Sequence, residues 1–361
     1  MKKLFSILIL FVLLLSLIVG CTPTPTPTPT PGPTIPEPDP NIKMPATFKL
    51  EGGSSPGAGS DLQSAGVEEV LEIYFPDMAT RRFPCGTAEA TIMVQHNELD
   101  LAFYGVLQNV IPQWKGEYPG YEGEKMQDTR MLGASHCGLL GHIFYVPADS
   151  PYETVADLLE KDALRIGVGP TGSASWKTCQ WALESYGLSY DDIEAAGGLV
   201  HFGSVKDAAT MMAEGKLDSF AYGLPHPSSL LKELDLKRGV RCLPWSEAAI
   251  EAATGPADHG LFPITLPSGT YSGTPDDVTI ISYSAVYIVN KDMSDDVAYN
   301  LAAAVFSTEG CDLMAERALF VKGYIEQTPD MTATISYPVP YHPGALKYWK
   351  ERGITPTVDP L

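Results

Sequence analysis

One phrase occurs twice in this chain: a helical run, then Leu-Asp, then a strand of small and aromatic residues closed by glycine. It reads NELDLAFYG at 97–105 and GKLDSFAYG at 215–223. Ahead of each copy the chain passes repeatedly from an apolar run through a glycine- and hydroxyl-rich turn into residues of helical spacing. TFKLEGG (47–53) leads through SSPGAGS (54–60) into SDLQSAGVEEVLEIYF, and Thr80–Phe83 leads through Cys85-Gly86-Thr87 into a helix running toward His96. In the second half, Ala163–Val168 leads through GPTGSAS into a longer helix stopped by Gly187. Period-2 runs alternating with period-3.6 runs predict an α/β fold, and β-turn-α repeated in succession is the pattern of an open parallel sheet. The twin phrase predicts two α/β lobes on one plan.

The remaining punctuation fits that plan. HIFYVP (142–147) reads as a strand, Val205–Ala213 as a helix closed by Gly215, and Asp218–Tyr222 as the strand after it. Pro244–Asp277 reads as a loop-rich passage. VTIISYSAVYIVNKD (278–292) alternates like one long strand, followed by a helix over Asp295–Ser307 and further helical segments.

The turn after Ala163–Val168 contains Gly167-Val168-Gly169-Pro170-Thr171-Gly172, a literal match to the dinucleotide spacing G-x-G-x-x-G. A nucleotide fold also needs an acid at the end of the next strand, about 20 residues on. Asp191 and Asp192 stand at that distance, inside YGLSYDDIEAA, which is no strand end. A phosphate-binding P-loop is excluded because Ser173-Ala174 follows Gly172 where Lys-Ser/Thr is required. What survives is local physics. A helix N-terminus carries unpaired N–H groups and the positive end of the dipole, and so favours an anion. Three such turns, at Ser54–Ser60, Gly86–Ala88 and Gly172–Ser175, suit a small carboxylate gripped across a cleft. The hydroxyls of Thr87, Ser173 and Ser175 are the expected donors; on this reading their loss weakens binding and leaves the melting temperature nearly unchanged.

The ends and the charge narrow the function classes. Lys2-Lys3 precede an apolar run from Leu4 to Gly20, the layout of a secretory signal. Ile18-Val19-Gly20-Cys21 resembles a lipoprotein box, which predicts a signal peptide over 1–20 and lipidation at Cys21. Thr22–Pro40 alternates threonine and proline, so 21–44 reads as a semi-rigid spacer without a core. The formal charge of −20 comes with no basic cluster, which argues against nucleic acid. Six cysteines contain no CxxC pair, and seven scattered histidines show no HExxH spacing. Neither a metal site nor a GxSxG elbow is present, so no catalytic set and no cofactor is expected.

Several stretches together resemble one family. GVGPTGSASW, CGTAEAT (85–91), the long LPSGTYSGTPDDVTIISYSAVYIVNKDMSDDVAYNLAAAVF, the loop Tyr222-Gly223-Leu224-Pro225-His226-Pro227 and YHPGALKYWKERG are similar to motifs of the TAXI-type solute receptors of TRAP transporters. The resemblance spans about Phe48 to Gly353. It implies a two-lobed, type II periplasmic binding-protein fold with a central ligand cleft and hinge strands near His142–Asp149 and Ile281–Asp292. Domain I would be 45–147 with 281–361, and domain II 148–280. It implies no catalysis and delivery of a small organic anion, a carboxylate or acidic amino acid, to a TRAP-type permease; the leader and its cysteine add an extracytoplasmic location and a lipid anchor at Cys21. A sensory or adhesive lipoprotein without a transporter is the alternative. The ligand-binding residues expected are Ser54, Ser55, Gly59, Ser60, Gly86, Thr87, Tyr104, Thr171, Gly172, Ser173, Ala174, Ser175, Tyr222 and Pro225. Two departures touch the pocket: Gly59-Ser60-Asp61 replaces the family's Gly-Thr-aromatic, and the neighbourhood of Ala90-Thr91 replaces the asparagine of the family's second turn.

Overall fold

The computed structural model describes residues 35–53, 59–118, 121–136, 139–255, 261–317 and 339–356. The signal segment, Cys21, the spacer up to residue 34, and Ser54 and Ser55 lie outside the described residues. Residues 35–44, expected to belong to the spacer, lie on the body instead: the Asp39 N–H donates to Asn300 Oδ1 at 2.8 Å, and Ile42 and Met44 pack against the core. One compact unit, Ile35–Leu361, takes in both segments assigned above to separate domains.

The first strands are as the spacing predicts. β1 (Thr47–Glu51) buries Phe48 and Leu50 and pairs in parallel with β2 (Ala79–Phe83), Thr47 opposite Ala79. Between them α1 (Gly59–Tyr74) turns Val67, Val70 and Leu71 inward at helical spacing. α2 (Thr87–Gln95) leads to β3 (Ala102–Val106), which continues directly into α3 (Leu107–Lys115). β4 (Thr129–His136) and β5 (Leu140–Pro147) follow.

The second half begins with α4 (Val155–Leu159), β6 (Arg165–Val168), α5 (Ala174–Ser185), α6 (Tyr190–Ala195) and β7 (Leu199–Phe202). It continues through α7 (Val205–Ala213), β8 (Ser219–Pro225), α8 (Ser229–Arg238), β9 (Val240–Leu243) and α9 (Glu247–Thr254). β10 (Leu261–Leu266), β11 (Val278–Asn290), α10 (Asp295–Val305), α11 (Thr308–Arg317) and α12 (Pro343–Glu351) complete the described elements. Capping boxes at Thr154/Asp157 and Ser189/Asp192 start α4 and α6. Gly187 and Gly215 leave their helices at φ of 72° and 73°, where a side chain is strained.

The sheet is mixed, not open and parallel. Its order runs β10-β11-β5-β8-β6-β7, with β9 on β5 and both β3 and β4 on β11. β6 lies parallel to β7 and β8, whereas β5 meets β8 and β11 meets all its partners antiparallel. The long strand does two jobs. Val278–Tyr283 pairs with β10, and Ile281 faces His142 of β5; from Ser284 to Asn290 the partner is β4. β5 is buried throughout and alternates its side chains between two apolar clusters, Phe144 and Val146 in one, Ile143 and Tyr145 in the other.

One further expectation is corrected. The passage 244–277 is not all loop, since it holds α9 and β10. No disulfide joins the described cysteines: Cys85, Cys179, Cys242 and Cys311 are free and buried, and desolvation pushes each thiol up to about 12. The His-Pro-Gly-Ala start of α12 has a local cause. His342 Nδ1 accepts the Gly344 N–H at 3.2 Å, while its Nε2 lies 2.9 Å from the Met293 carbonyl. A Cβ on Gly344 would meet the Asp295 carbonyl oxygen at 2.0 Å, so only glycine fits there. Among the described residues no helix is long and apolar enough to cross a membrane.

Candidate functional site

A cavity of about 470 Å³ collects the glycine turns of both halves. Four helices begin at its wall: α1 at Gly59 and Ser60, α2 at Gly86–Glu89, α5 at Ser173–Trp176 and α7 at Ser204 and Val205. Tyr118, Tyr121, Gly169–Gly172, Tyr222–Leu224 and Tyr283 complete it. Each helix start carries N–H groups without intrahelical partners and about half a positive charge. At α2 the cap is Gly86, whose lack of a side chain leaves those donors uncapped by it.

Three of the hydroxyls at these starts are already hydrogen-bonded on the acceptor side. Thr87 Oγ1 accepts from Asn109 Nδ2 at 3.0 Å, Ser173 Oγ from the Trp176 N–H at 3.2 Å, and Ser175 Oγ from the Gly223 N–H at 3.0 Å. A hydroxyl has one proton and two lone pairs. With a lone pair of each engaged, the protons of Thr87, Ser173 and Ser175 remain to be given away. Ser204 differs, because its proton goes to Asp207 Oδ2 at 2.6 Å. Ser173 is therefore also the N-cap of α5, which changes the expectation that its removal leaves stability untouched.

The phenols are committed the other way. Tyr118 donates to the Gly172 carbonyl at 2.9 Å, and burial pushes its phenol up to about 12. Tyr222 donates to the carbonyls of Val168, at 2.7 Å, and Gly203. The turn itself needs its glycines. Gly172 sits at φ 82°, and a Cβ on Gly169 would come within 2.3 Å of Ser173 Oγ. Behind the wall, α3 braces the start of α2, with Asn109 on Thr87 and Gln113 Nε2 on the Ala88 carbonyl at 2.7 Å. His142 lies across from Gly223 in the β5–β8 register, its ring 5.2 Å from that of Tyr283. It is buried, which lowers its pKa to about 3 and keeps it neutral.

Among the described residues no lysine or arginine lines the cavity, and the one ionisable carboxylate in the wall is Glu89. Arg82 is engaged elsewhere, 3.3 Å from Asp61 and 3.0 Å from Glu68. Of the residues expected from sequence, Gly59, Ser60, Gly86, Thr87, Thr171, Gly172, Ser173, Ala174, Ser175 and Tyr222 come together here. Pro225 lies at the end of β8 opposite Leu140, outside the cavity wall, and Tyr104 lies in β3. Sequence reasoning missed Ile92, Tyr118, Tyr121, Trp176, Ser204 and Tyr283. The aromatics flanking Pro119-Gly120 were the available signal. Among the described residues no group of three or more His, Cys, Asp or Glu is placed to hold a metal ion.

Solved structures similar to this chain include the periplasmic aliphatic sulphonate binding protein SsuA from Escherichia coli, at 16% identity and a TM-score of 0.45, covering 79% of this chain and 84% of that one. A TctC solute binding protein from Polaromonas matches at 16% identity and a TM-score of 0.42, over 78% of this chain and 98% of its own. The periplasmic binding protein BugD matches at 12% identity and a TM-score of 0.47, over 86% and 98%. The sequence match is to a family model: residues 83–353, from the end of β2 past the end of α12, fit it, and the chain belongs to the NMT1-like family.

Proposed function

We propose that this chain is an extracytoplasmic solute receptor that binds a small organic anion, a carboxylate or a group of like chemistry. The observation that carries the reading is the convergence of four helix N-termini on one cavity whose Thr87, Ser173 and Ser175 hydroxyls have protons to donate. Membership of the NMT1-like family is compatible with it. The net charge of −20 means that affinity comes from short-range donors, since the mean field repels anions. In the finer reading the chain is a TAXI-type receptor. The leader over 1–20 is removed, Cys21 carries lipid, the part of 21–44 ahead of residue 35 spaces the body from the membrane, and a TRAP-type permease takes the ligand. Two lobes, 45–147 with 281–361 and 148–280, close on it, and β5 and β11 are the hinge strands.

Calorimetric titration of the chain from residue 35 onward with mono- and dicarboxylates, glutamate, 2-oxoglutarate and alkanesulfonates tests the receptor reading. Saturable binding of at least one anion, weakened by Thr87→Ala, is the expected result. Binding confined to uncharged solutes would refute it.

A further inference from the structure

We infer that the ligand carries a single anionic group on an apolar body, and that a second anionic group is rejected; this rests on the receptor reading above. The small hydroxyls of the cavity cluster at the helix starts and the glycine turn, Ser60, Thr87, Thr171, Ser173, Ser175 and Ser204. Thr87, Ser173 and Ser175 have theirs to give, beside the N–H groups of the helix starts. Every other hydroxyl proton whose partner is defined is spent: Ser204 on Asp207, Tyr118 on the Gly172 carbonyl, Tyr222 on the carbonyls of Val168 and Gly203. An anionic group seated at the helix starts uses that supply.

A second carboxylate on the same ligand would meet a different surface. Ile92, Tyr121, Trp176, Val205, Leu224 and Tyr283 offer apolar area, and Glu89 offers repulsion. No cation in the described wall offsets it. Lys177 is not in the wall: its ammonium lies between two rings, 5.7 Å from the centroid of Trp176 and 5.2 Å from that of Trp181, and reaches Gln180 at 3.4 Å. A buried charge without a partner is costly, whereas an alkyl or aryl body gains from the same wall. The size agrees: about 470 Å³ is in the range that holds ligands larger than a five-carbon acid.

Matched ligands test this by titration calorimetry on the chain from residue 35 onward at pH 7. Hexanoate against adipate, and 3-phenylpropanoate against its para-carboxylated analogue, differ only in the second carboxylate. The single anion should bind at least about tenfold more tightly in each pair, about 1.4 kcal/mol. Glu89→Gln should narrow the gap by raising the dianions' affinity more than the monoanions'. Dianions that bind as tightly as their partners would overturn the inference and leave the receptor reading intact. Failure of all four to bind, while glutamate or 2-oxoglutarate binds, would also overturn the inference alone. Failure of every anion would overturn both.

Discussion

Replacing Ser173 in two ways separates its two roles. Its hydroxyl oxygen accepts the Trp176 N–H at 3.2 Å, with the backbone at φ −77° and ψ 159°, the extended geometry of an N-cap. Alanine removes both cap and donor. The lost cap costs about 1 kcal/mol, which lowers the melting temperature of a body this size by roughly 2 °C. The lost hydrogen bond to an ionised ligand costs about 1.5–3 kcal/mol, roughly ten- to a hundredfold in affinity. Aspartate keeps the cap, since a carboxylate accepts from Trp176 N–H as a serine does. It removes the proton and adds a like charge, worth about 4 kcal/mol of repulsion at 4 Å and an effective dielectric of about 20. Ser173→Asp should therefore melt like the wild type and bind anions more than a hundredfold more weakly. Scanning calorimetry without ligand and titration calorimetry with the best anion measure the two effects independently. An aspartate variant that binds as tightly as the wild type would refute the donor assignment. An alanine variant of unchanged melting temperature would refute the cap.

Acid should destabilise the protein before its carboxylates titrate. Burial lowers the pKa of His142 to about 3 and of His226 to about 4, against an ordinary 6.5. The unfolded chain takes up these protons below pH 6.5 and the folded chain does not, so stability is full above 6.5 and falls as the pH drops toward 4 and then 3. Between pH 7 and 5 the loss is on the order of 2 kcal/mol per histidine, and a urea midpoint that stays constant over that interval would contradict it. Gly223→Ala places a Cβ 2.6–2.9 Å from three atoms of the His142 ring and should cost about 1–3 kcal/mol by overpacking. Adding His142→Ala should recover part of that loss; strictly additive effects of the two changes on the denaturation midpoint would show that the ring is not what the methyl meets.

The legible parts of this fold were those written in local chemistry. Strand, glycine turn and helix succeed one another at Thr47–Tyr74, Ala79–Gln95 and Arg165–Ser185 because each switch of period is punctuated by residues with no alternative use. The α/β class followed, and most of the expected pocket residues line one cavity. What the local pattern did not carry was pairing. β4 has Gly133 in its middle, pressed so closely under the rings of Phe306 and Trp349 that a Cβ would come within 2.5–2.8 Å, and its partner β11 lies far along the chain. β10 carries Pro263, which in sequence argues against a strand and in the structure sits on the edge of the sheet. α3 contains Pro112, an interruption that hides a helix whose Asn109 and Gln113 brace the site. Nor does a serine reveal in sequence that its oxygen is already taken.

The double pairing of β11 has a consequence for the order in which this protein is made. Synthesis runs from the N-terminus, so β3, β4, α2 and α3 exist as chain long before residues 278–290 do. Until that strand arrives, β3 and β4 have open backbone edges, because β11 is their partner in the sheet. The turns at Gly86 and Ser173 are thus brought to one cavity only near the end of translation. Such distant pairing is intrinsically slow to form, and it holds β3 and β4 out of their native sheet at a stage when β5 to β9 already have one another to pair with.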